Sequence, residues 1–140
     1  MGFDGPMTRL LLVDDDDSTR MILRRFLQRA APQLVVVEAH NGEDAIQRIA
    51  NDPFDAVLSD YRMGLVSGLD VLAFALLRQP DAVRVLMTGF ADPSLATAAK
   101  ARAKVHAFIE KPISTREFEE VVRGSLLALL KLEPVAQPEA

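Results

Sequence analysis

The chain has 140 residues, 49% apolar and 26% charged, with a net charge of −4 and no cysteine. That length and balance suit one soluble globular domain with its own core, and the mild negative charge argues against a general nucleic-acid binder. Without cysteine, disulfides, thiolate metal sites and thiol nucleophiles are excluded. No apolar run approaches the ~20 residues that span a bilayer, and MGFDGPMTR lacks the apolar segment of a signal peptide, so a cytoplasmic location is the default expectation.

Apolar runs of strand type alternate with helical patterns along the chain. Arg9–Val13 reads as a strand and Ser18–Ala30 as a helix, with Ile22, Phe26 and Leu23, Leu27 at four-residue spacing. Leu34–Glu38 is a β-branched strand, and His40-Asn41-Gly42 a turn before a helix over Glu43–Ala50. Asp55–Asp60 is a strand ending in an acid, followed by a loop over 63–68 and a helix over Leu69–Arg78. Val83–Met87 is a strand, Ser94–Lys104 an alanine-rich helix and His106–Glu110 a strand. Ser114–Lys131 is the last helix, with Ser114 or Thr115 as its N-cap and Glu117 in its first turn. The expected domain covers residues 8–132, between disordered tails at 1–7 and 133–140.

Regular alternation of strand and helix implies βαβ units with right-handed crossovers and a parallel sheet covered on both faces. Ligands of such sheets bind at the carboxyl ends of the strands, where the strand order reverses. The residues at those ends are therefore the informative ones. The first strand ends in Asp14-Asp15, the third in Asp60, the fourth in Thr88 and the fifth in Lys111; the second offers no comparable partner. With that strand at the edge, the order becomes 2-1-3-4-5. Three carboxylates, a hydroxyl and an ammonium then meet on one rim. Clustered oxygen ligands suit a hard divalent cation, Mg²⁺ or Mn²⁺, which would relieve carboxylate repulsion and neutralise a transferring phosphoryl group. An aspartate can itself accept that group as an acyl phosphate. There is no glycine-rich phosphate loop, so nucleotide binding is not expected.

These residues resemble the receiver domains of two-component response regulators, chemotaxis-regulator-like, from about Arg9 to Leu129. VDDDDSTR, with Val13, Asp14, Asp15 and Arg20, is similar to the family's opening acidic motif. AVLSDYRM followed by Gly68-Leu69 is similar to its phosphoacceptor segment, VLMTG to its switch-hydroxyl segment and FIEKP to its lysine segment. The resemblance implies a flavodoxin-like doubly wound (βα)5 fold. It implies that Asp60 accepts a phosphoryl group from a phosphohistidine on a histidine kinase or phosphotransfer protein. Asp14, Asp15, Asp60 and the backbone carbonyl of Arg62 would hold Mg²⁺. Thr88 would bind the new phosphoryl oxygens, Lys111 would pair with carboxylate and then phosphoryl group, and Phe108 would turn inward as Thr88 moves. It further implies a cis Lys111–Pro112 peptide, and an output surface of the fourth and fifth helices and adjacent strands that a downstream effector or output domain reads. Such a domain is no enzyme beyond its own aspartyl phosphorylation and dephosphorylation, and it has no nucleic-acid or membrane partner of its own.

The chain departs from the pattern in three places. Gly64 stands where the family usually has proline, which should leave the loop less restrained. Ser67 replaces an acid before the loop's last glycine, and the switch aromatic lacks a hydroxyl. Arg62 and Phe90 flank the site, and their bulk is expected to slow hydrolysis of the acyl phosphate. The apolar stripe of the last helix, Phe118, Val121, Val122, Ser125 and Leu129, is broadened by Leu126, Leu127 and Leu130; self-association or a partner surface is the expectation there, with a homodimer through helices 4 and 5 as one form.

Two rivals share the residues. A haloacid-dehalogenase-like phosphatase needs an apolar strand followed by DxDx[ST], which Asp14-x-Asp16-x-Ser18 and Asp15-x-Asp17-x-Thr19 both satisfy; it also needs a late acid pair, and Asp70, Asp81 and Asp92 stand alone. A flavodoxin-like cofactor binder would need a phosphate loop where four acids stand. Within the acidic run, Asp14 and Asp15 end an apolar strand and are assigned to the cation. Asp16 and Asp17 are assigned to the loop and helix start, with Asp17 as the cap or dipole partner. His40 and His106 have no partner at metal spacing. No output domain fits after Leu132, so the chain is expected to be a stand-alone receiver or the first part of a larger regulator.

Overall fold

Period-two alternation in the strands sorts their side chains onto two faces, and each face is covered by helices of matching apolar stripe. The computed structural model describes residues 7–89, 92–111 and 114–131, with the backbone alone at 115, 117, 121 and 125. The strands are β1 (Thr8–Val13), β2 (Leu34–Ala39), β3 (Ala56–Asp60), β4 (Val83–Thr88) and β5 (Ala107–Glu110). All neighbours pair in parallel, in the order β2-β1-β3-β4-β5. The expected fold class and strand order are therefore observed. The helices between them are α1 (Asp17–Ala30), α2 (Gly42–Asn51), α3 (Gly68–Arg78) and α4 (Pro93–Ala103).

On one face Leu10, Leu12, Leu58, Val85 and Met87 pack with Leu23 and Leu27 of α1 and with Phe118 and Val122 of the last helix. On the other, Leu11, Val13, Val57 and Leu86 pack with Ile49, Leu72 and Ala99 of α2, α3 and α4. Removing the largest of these side chains, Phe118, would cost about 3–5 kcal/mol. Helix starts are capped by short polar side chains. Asn41 accepts from Asp44 N–H, Ser67 and Asp70 form a capping box, and Asp92 accepts from Leu95 N–H ahead of Pro93. Ser67, the departure from the family's acid, is thus a helix cap. Ser114 takes the N-cap position of the last helix, its carbonyl accepting from Phe118 N–H at 3.0 Å; the side chains of Thr115 and Glu117 lie outside the description.

The last helix departs from expectation. It runs as α5 (Thr115–Val121), a π-helical stretch (Val122–Leu126) and α6 (Leu127–Leu130). A single π-turn inserts one extra residue into the helical register. The buried positions are accordingly Phe118, Val122, Leu126 and Leu127, whereas Leu129 is 45% exposed. The predicted stripe is corrected: Leu126 and Leu127, read as broadening it, are core, and Leu129 has rotated outward. Val121 and Ser125 side chains, the termini, Phe90 and the Lys111–Pro112 peptide lie outside the described residues. Among the described residues no helix is long and apolar enough to cross a membrane.

Candidate functional site

The β1–β2 ladder continues one residue past β1, because Asp14 N–H donates to Ala39 O at 3.2 Å. The Asp14 side chain is completely buried at the carboxyl rim. Its Oδ1 accepts from Asp16 N–H at 2.9 Å and its Oδ2 from Lys111 Nζ at 3.0 Å. Asp60 is the last residue of β3 and is 8% exposed. Its Oδ1 accepts from Tyr61 N–H at 2.9 Å, and its Oδ2 lies 3.3 Å from Lys111 Nζ. Thr88 ends β4, 4% exposed, and its carbonyl accepts from Lys111 N–H at 2.7 Å, which draws the ends of β4 and β5 together. Asp60, Tyr61, Arg62, Thr88, Gly89 and Lys111 line an open cavity of about 370 Å³.

The electrostatics follow from this crowding. Burial pushes the Asp60 carboxyl above its ordinary value; the Lys111 charge opposes that shift and the Asp14 charge adds to it. Burial alone would lower the Lys111 ammonium, but its hydrogen bond to Asp14 and the charges of Asp14 and Asp60 outweigh burial and hold it above the usual value. Carboxylate oxygens of Asp14, Asp15 and Asp60 lie within 4.8 Å of one another, with Asp15 exposed. Three carboxylates against one ammonium leave the cluster net negative, and every donor is a hard oxygen. The residues therefore fit Mg²⁺ or Mn²⁺ and do not fit a soft metal.

The loop after β3 is held by close backbone contacts. Gly68 N–H donates to Tyr61 O at 2.8 Å, and a Cβ at Gly68 would stand 1.9 Å from Asp60 O. Any larger residue there would displace the Asp60 backbone. Gly64 has φ +99, a conformation proline cannot adopt. The glycine at the family's proline position therefore sets a different loop path, a stronger consequence than loss of restraint. Leu65 beside it is 99% exposed.

A second cavity, of about 200 Å³, lies on the other side of Thr88, lined by Thr88, Asp92, Leu95, Ala96, Phe108 and Glu110. Phe108 is half-buried on the α3/α4 face. Arg62 is exposed at the site's rim. The expected flanking partner, Phe90, is among the residues not described.

The acidic run divides by hydrogen bonding. Asp16, not Asp17, caps α1: its Oδ2 accepts from Thr19 N–H at 2.9 Å, and the hydrogen bonds from the Thr19 side chain and backbone lower its carboxyl pKa. Asp17 instead pairs with Arg20 at 2.6 Å. Each DxD spacing therefore sends its second acid away from the site. The later acids are engaged elsewhere too. Asp70 completes the capping box of α3 and pairs with Arg102 at 3.0 Å, Asp92 caps α4, and Asp81 lies with Thr8 and Asp55 at the opposite end of the sheet. Among the described residues no late acid joins Asp14, Asp15 and Asp60 in their cluster, so the phosphatase reading lacks its second acid pair at the site.

Two arginines do more than the sequence indicates: in the sequence Arg20 figures only as part of the acidic motif, and Arg84 is not singled out. Arg20 bridges three elements around the acidic loop. Arg84, inside the apolar run of β4, is 4% exposed and donates to the carbonyls of Ala103, Lys104, Pro80 and Ala82 at 2.6–3.2 Å. An arginine in an otherwise apolar central strand was the available signal, since it must find partners when buried.

The profile of the response regulator receiver domain matches residues 10–123. The response regulator receiver protein CpdR of Brucella abortus is 31% identical over 124 residues, covering 87% of this chain and 99% of that protein. The receiver domain of an HD domain-containing protein from Pseudomonas fluorescens superposes with a TM-score of 0.78 at 24% identity, over 90% of this chain and 99% of that one. A response regulator from Burkholderia pseudomallei, solved with a phosphorylated aspartic acid, a calcium ion and citrate, gives a TM-score of 0.70 at 26% identity, over 81% of this chain and 65% of that one. Of the longer curated relatives it matches, the chain spans only 15–26% of the length. The order of strands, the matched span and these relatives agree: the chain belongs to the response regulator receiver family, the signalling domain of two-component systems.

Proposed function

We propose that Asp60 is the phosphoacceptor, taking its phosphoryl group from a phosphohistidine on a histidine kinase or phosphotransfer protein. One observation carries this reading: the buried Asp60 carboxylate sits at a strand end with Asp14 and Asp15 beside it and the Lys111 ammonium 3.3 Å away. In the transfer, an Asp60 carboxylate oxygen forms a bond to phosphorus while the phosphorus–nitrogen bond of the donor breaks and the imidazole leaves. Asp14, Asp15, Asp60 and the Arg62 backbone carbonyl would hold Mg²⁺, which supplies charge neutralisation for the phosphoryl oxygens. A relative solved with a phosphorylated aspartic acid and a calcium ion supports that chemistry. Lys111 exchanges its carboxylate contact for the phosphoryl group.

Thr88 lines both the site and the second cavity, which supports a role for it in reporting the change. When its hydroxyl turns toward the phosphoryl oxygens, Phe108 moves into the space behind it, altering the surface of α4, β5 and α5. The reader of that surface is a downstream effector or output domain; a second copy of this chain across α4 and α5 is the alternative, which light scattering with and without a phosphoryl analogue distinguishes. The domain so defined runs over residues 8–132 and acts as a cytoplasmic switch with no product of its own. Incubation with Mg²⁺ and a small phosphodonor should label the wild-type protein and leave Asp60→Asn unlabelled by intact mass. Labelling that persists in the variant would sink the assignment.

A further inference from the structure

Arg20, in the second turn of α1, joins three elements through one planar group. Its Nη1–H donates to the Asp14 backbone carbonyl at 2.7 Å, its Nε–H to Glu38 at the end of β2 at 3.0 Å, and its Nη2–H to Asp17 at 2.6 Å. The side chain is only 13% exposed. Such a fork of directed bonds fixes geometry in a way that an ammonium cannot.

The bond to Asp14 is the consequential one. The Asp14 carbonyl belongs to the peptide plane that also contains Asp15 nitrogen, so holding that carbonyl sets the direction in which Asp15 leaves the strand. The preceding peptide is held as well, by Asp14 N–H on Ala39 O. The Asp14 carboxylate is oriented by Asp16 N–H and Lys111, and the Asp60 carboxylate by Tyr61 N–H. Asp15 is the exposed acid of the three, and Arg20 sits where its backbone is steered. Glu38 in turn anchors Arg20, with Arg24 3.5 Å from its other oxygen.

We infer that Arg20 is a positioning residue: it aims the Asp15 carboxylate at the Asp14–Asp60 pair and thereby raises the affinity of the site for a divalent cation. This rests on the cation site proposed above. The inference runs against simple electrostatics. Removing a nearby positive charge makes the cluster more negative, so charge alone predicts tighter cation binding in Arg20→Ala. Positioning predicts weaker binding, as when an outer partner of a metal ligand is lost.

Calorimetric titration of Mg²⁺ into wild type, Arg20→Ala, Arg20→Lys and Glu38→Gln separates the two. Arg20→Ala and Arg20→Lys should each bind about tenfold or more weakly, because lysine keeps the charge and loses the fork. Glu38→Gln should lose a smaller factor. At saturating Mg²⁺ the rate of phosphorylation by a small phosphodonor should return toward wild type. Equal or tighter binding in a folded Arg20→Ala protein, or full retention in Arg20→Lys, would overturn the inference. Should neither arginine variant fold, unchanged affinity in Glu38→Gln overturns it. A wild-type protein that binds no Mg²⁺ and takes no phosphoryl group is a different result, and removes the proposed function itself.

Discussion

Two cations, a buried arginine and a half-buried lysine, stand at opposite ends of the sheet. Arg84, at the amino end of β4, gives its guanidinium hydrogen bonds to four backbone carbonyls, two of them at the carboxyl terminus of α4. Lys111, just past the carboxyl end of β5, lies between two carboxylates. Burial lowers the pKa of Arg84, whereas the carboxylates lift that of Lys111 in spite of burial. The difference lies in the partners. Peptide carbonyls keep their partial charge under all conditions, so the arginine is a permanent fixture that also meets the negative end of a helix dipole. Carboxylates change their charge balance when a proton, a cation or a phosphoryl group arrives, so the lysine sits in a site that can be rearranged.

The comparison breaks first at Arg84. Arg84→Met should lower the free energy of unfolding by about 3–5 kcal/mol, because the carbonyls of Pro80, Ala82, Ala103 and Lys104 lose their donor. Urea denaturation measures this, and a cost below about 1 kcal/mol would mean that water replaces the guanidinium. Lys111→Met should cost less, about 1–2 kcal/mol in the absence of divalent cations, through repulsion between Asp14 and Asp60. Added Mg²⁺ should recover most of that loss but not the activity of the proposed switch. If Mg²⁺ leaves the midpoint of Lys111→Met unchanged, the carboxyl rim is as fixed as the amino rim.

Smaller effects come from titration, with opposite signs at the two rims. Asp60 has a raised pKa in the folded protein, so the folded state holds the proton more tightly than the unfolded chain. Its charge therefore destabilises the fold once pH rises above the ordinary value of 3.8. Asp60→Asn should be more stable than wild type at neutral pH without Mg²⁺, with the gap closing as pH falls through the folded pKa of Asp60 toward 3.8. At the amino rim, His106 Nδ1 accepts from Arg84 N–H at 2.9 Å; burial and the Arg84 charge lower its pKa below 6.5. A base with a lowered folded pKa contributes stability above its unfolded value and loses it as pH falls from 6.5 through the folded value. His106→Asn, which can keep an acceptor, should flatten that decline in urea midpoints between pH 7 and 5. A steeper decline in the variant would place the acid sensitivity elsewhere.

Much of this molecule was readable from the chain because its signals are local. Apolar runs, breakers and the acids, hydroxyl and lysine at strand ends located five strands and the residues of the rim. What escaped depends on three dimensions. Asp16 and Asp17 are chemically identical neighbours, and only the approach of Thr19 and Arg20 decides which one caps. Arg84 finds acceptors from the end of a helix and from a loop, a set no spacing encodes. Gly64 reads as loss of proline until its φ of +99 is known. The π-turn in the last helix has no residue signature here, since the Leu126-Leu127 and Leu129-Leu130 pairs offer an apolar side chain to either register.

That π-turn has a consequence for chain length. Between Val122 and Leu126 the helix accommodates one residue beyond the α-helical count. Single-residue deletions normally rotate everything downstream by about 100° and expose a buried face. Within this segment the effect reverses. Loss of the exposed Gly124 would let the helix close as a continuous α-helix, carrying Leu127 one place forward to stand eight residues after Phe118 and four after Val122, still on the sheet-facing side. The end of this domain is therefore a place where the coding sequence can shorten by a single codon without unmaking the core.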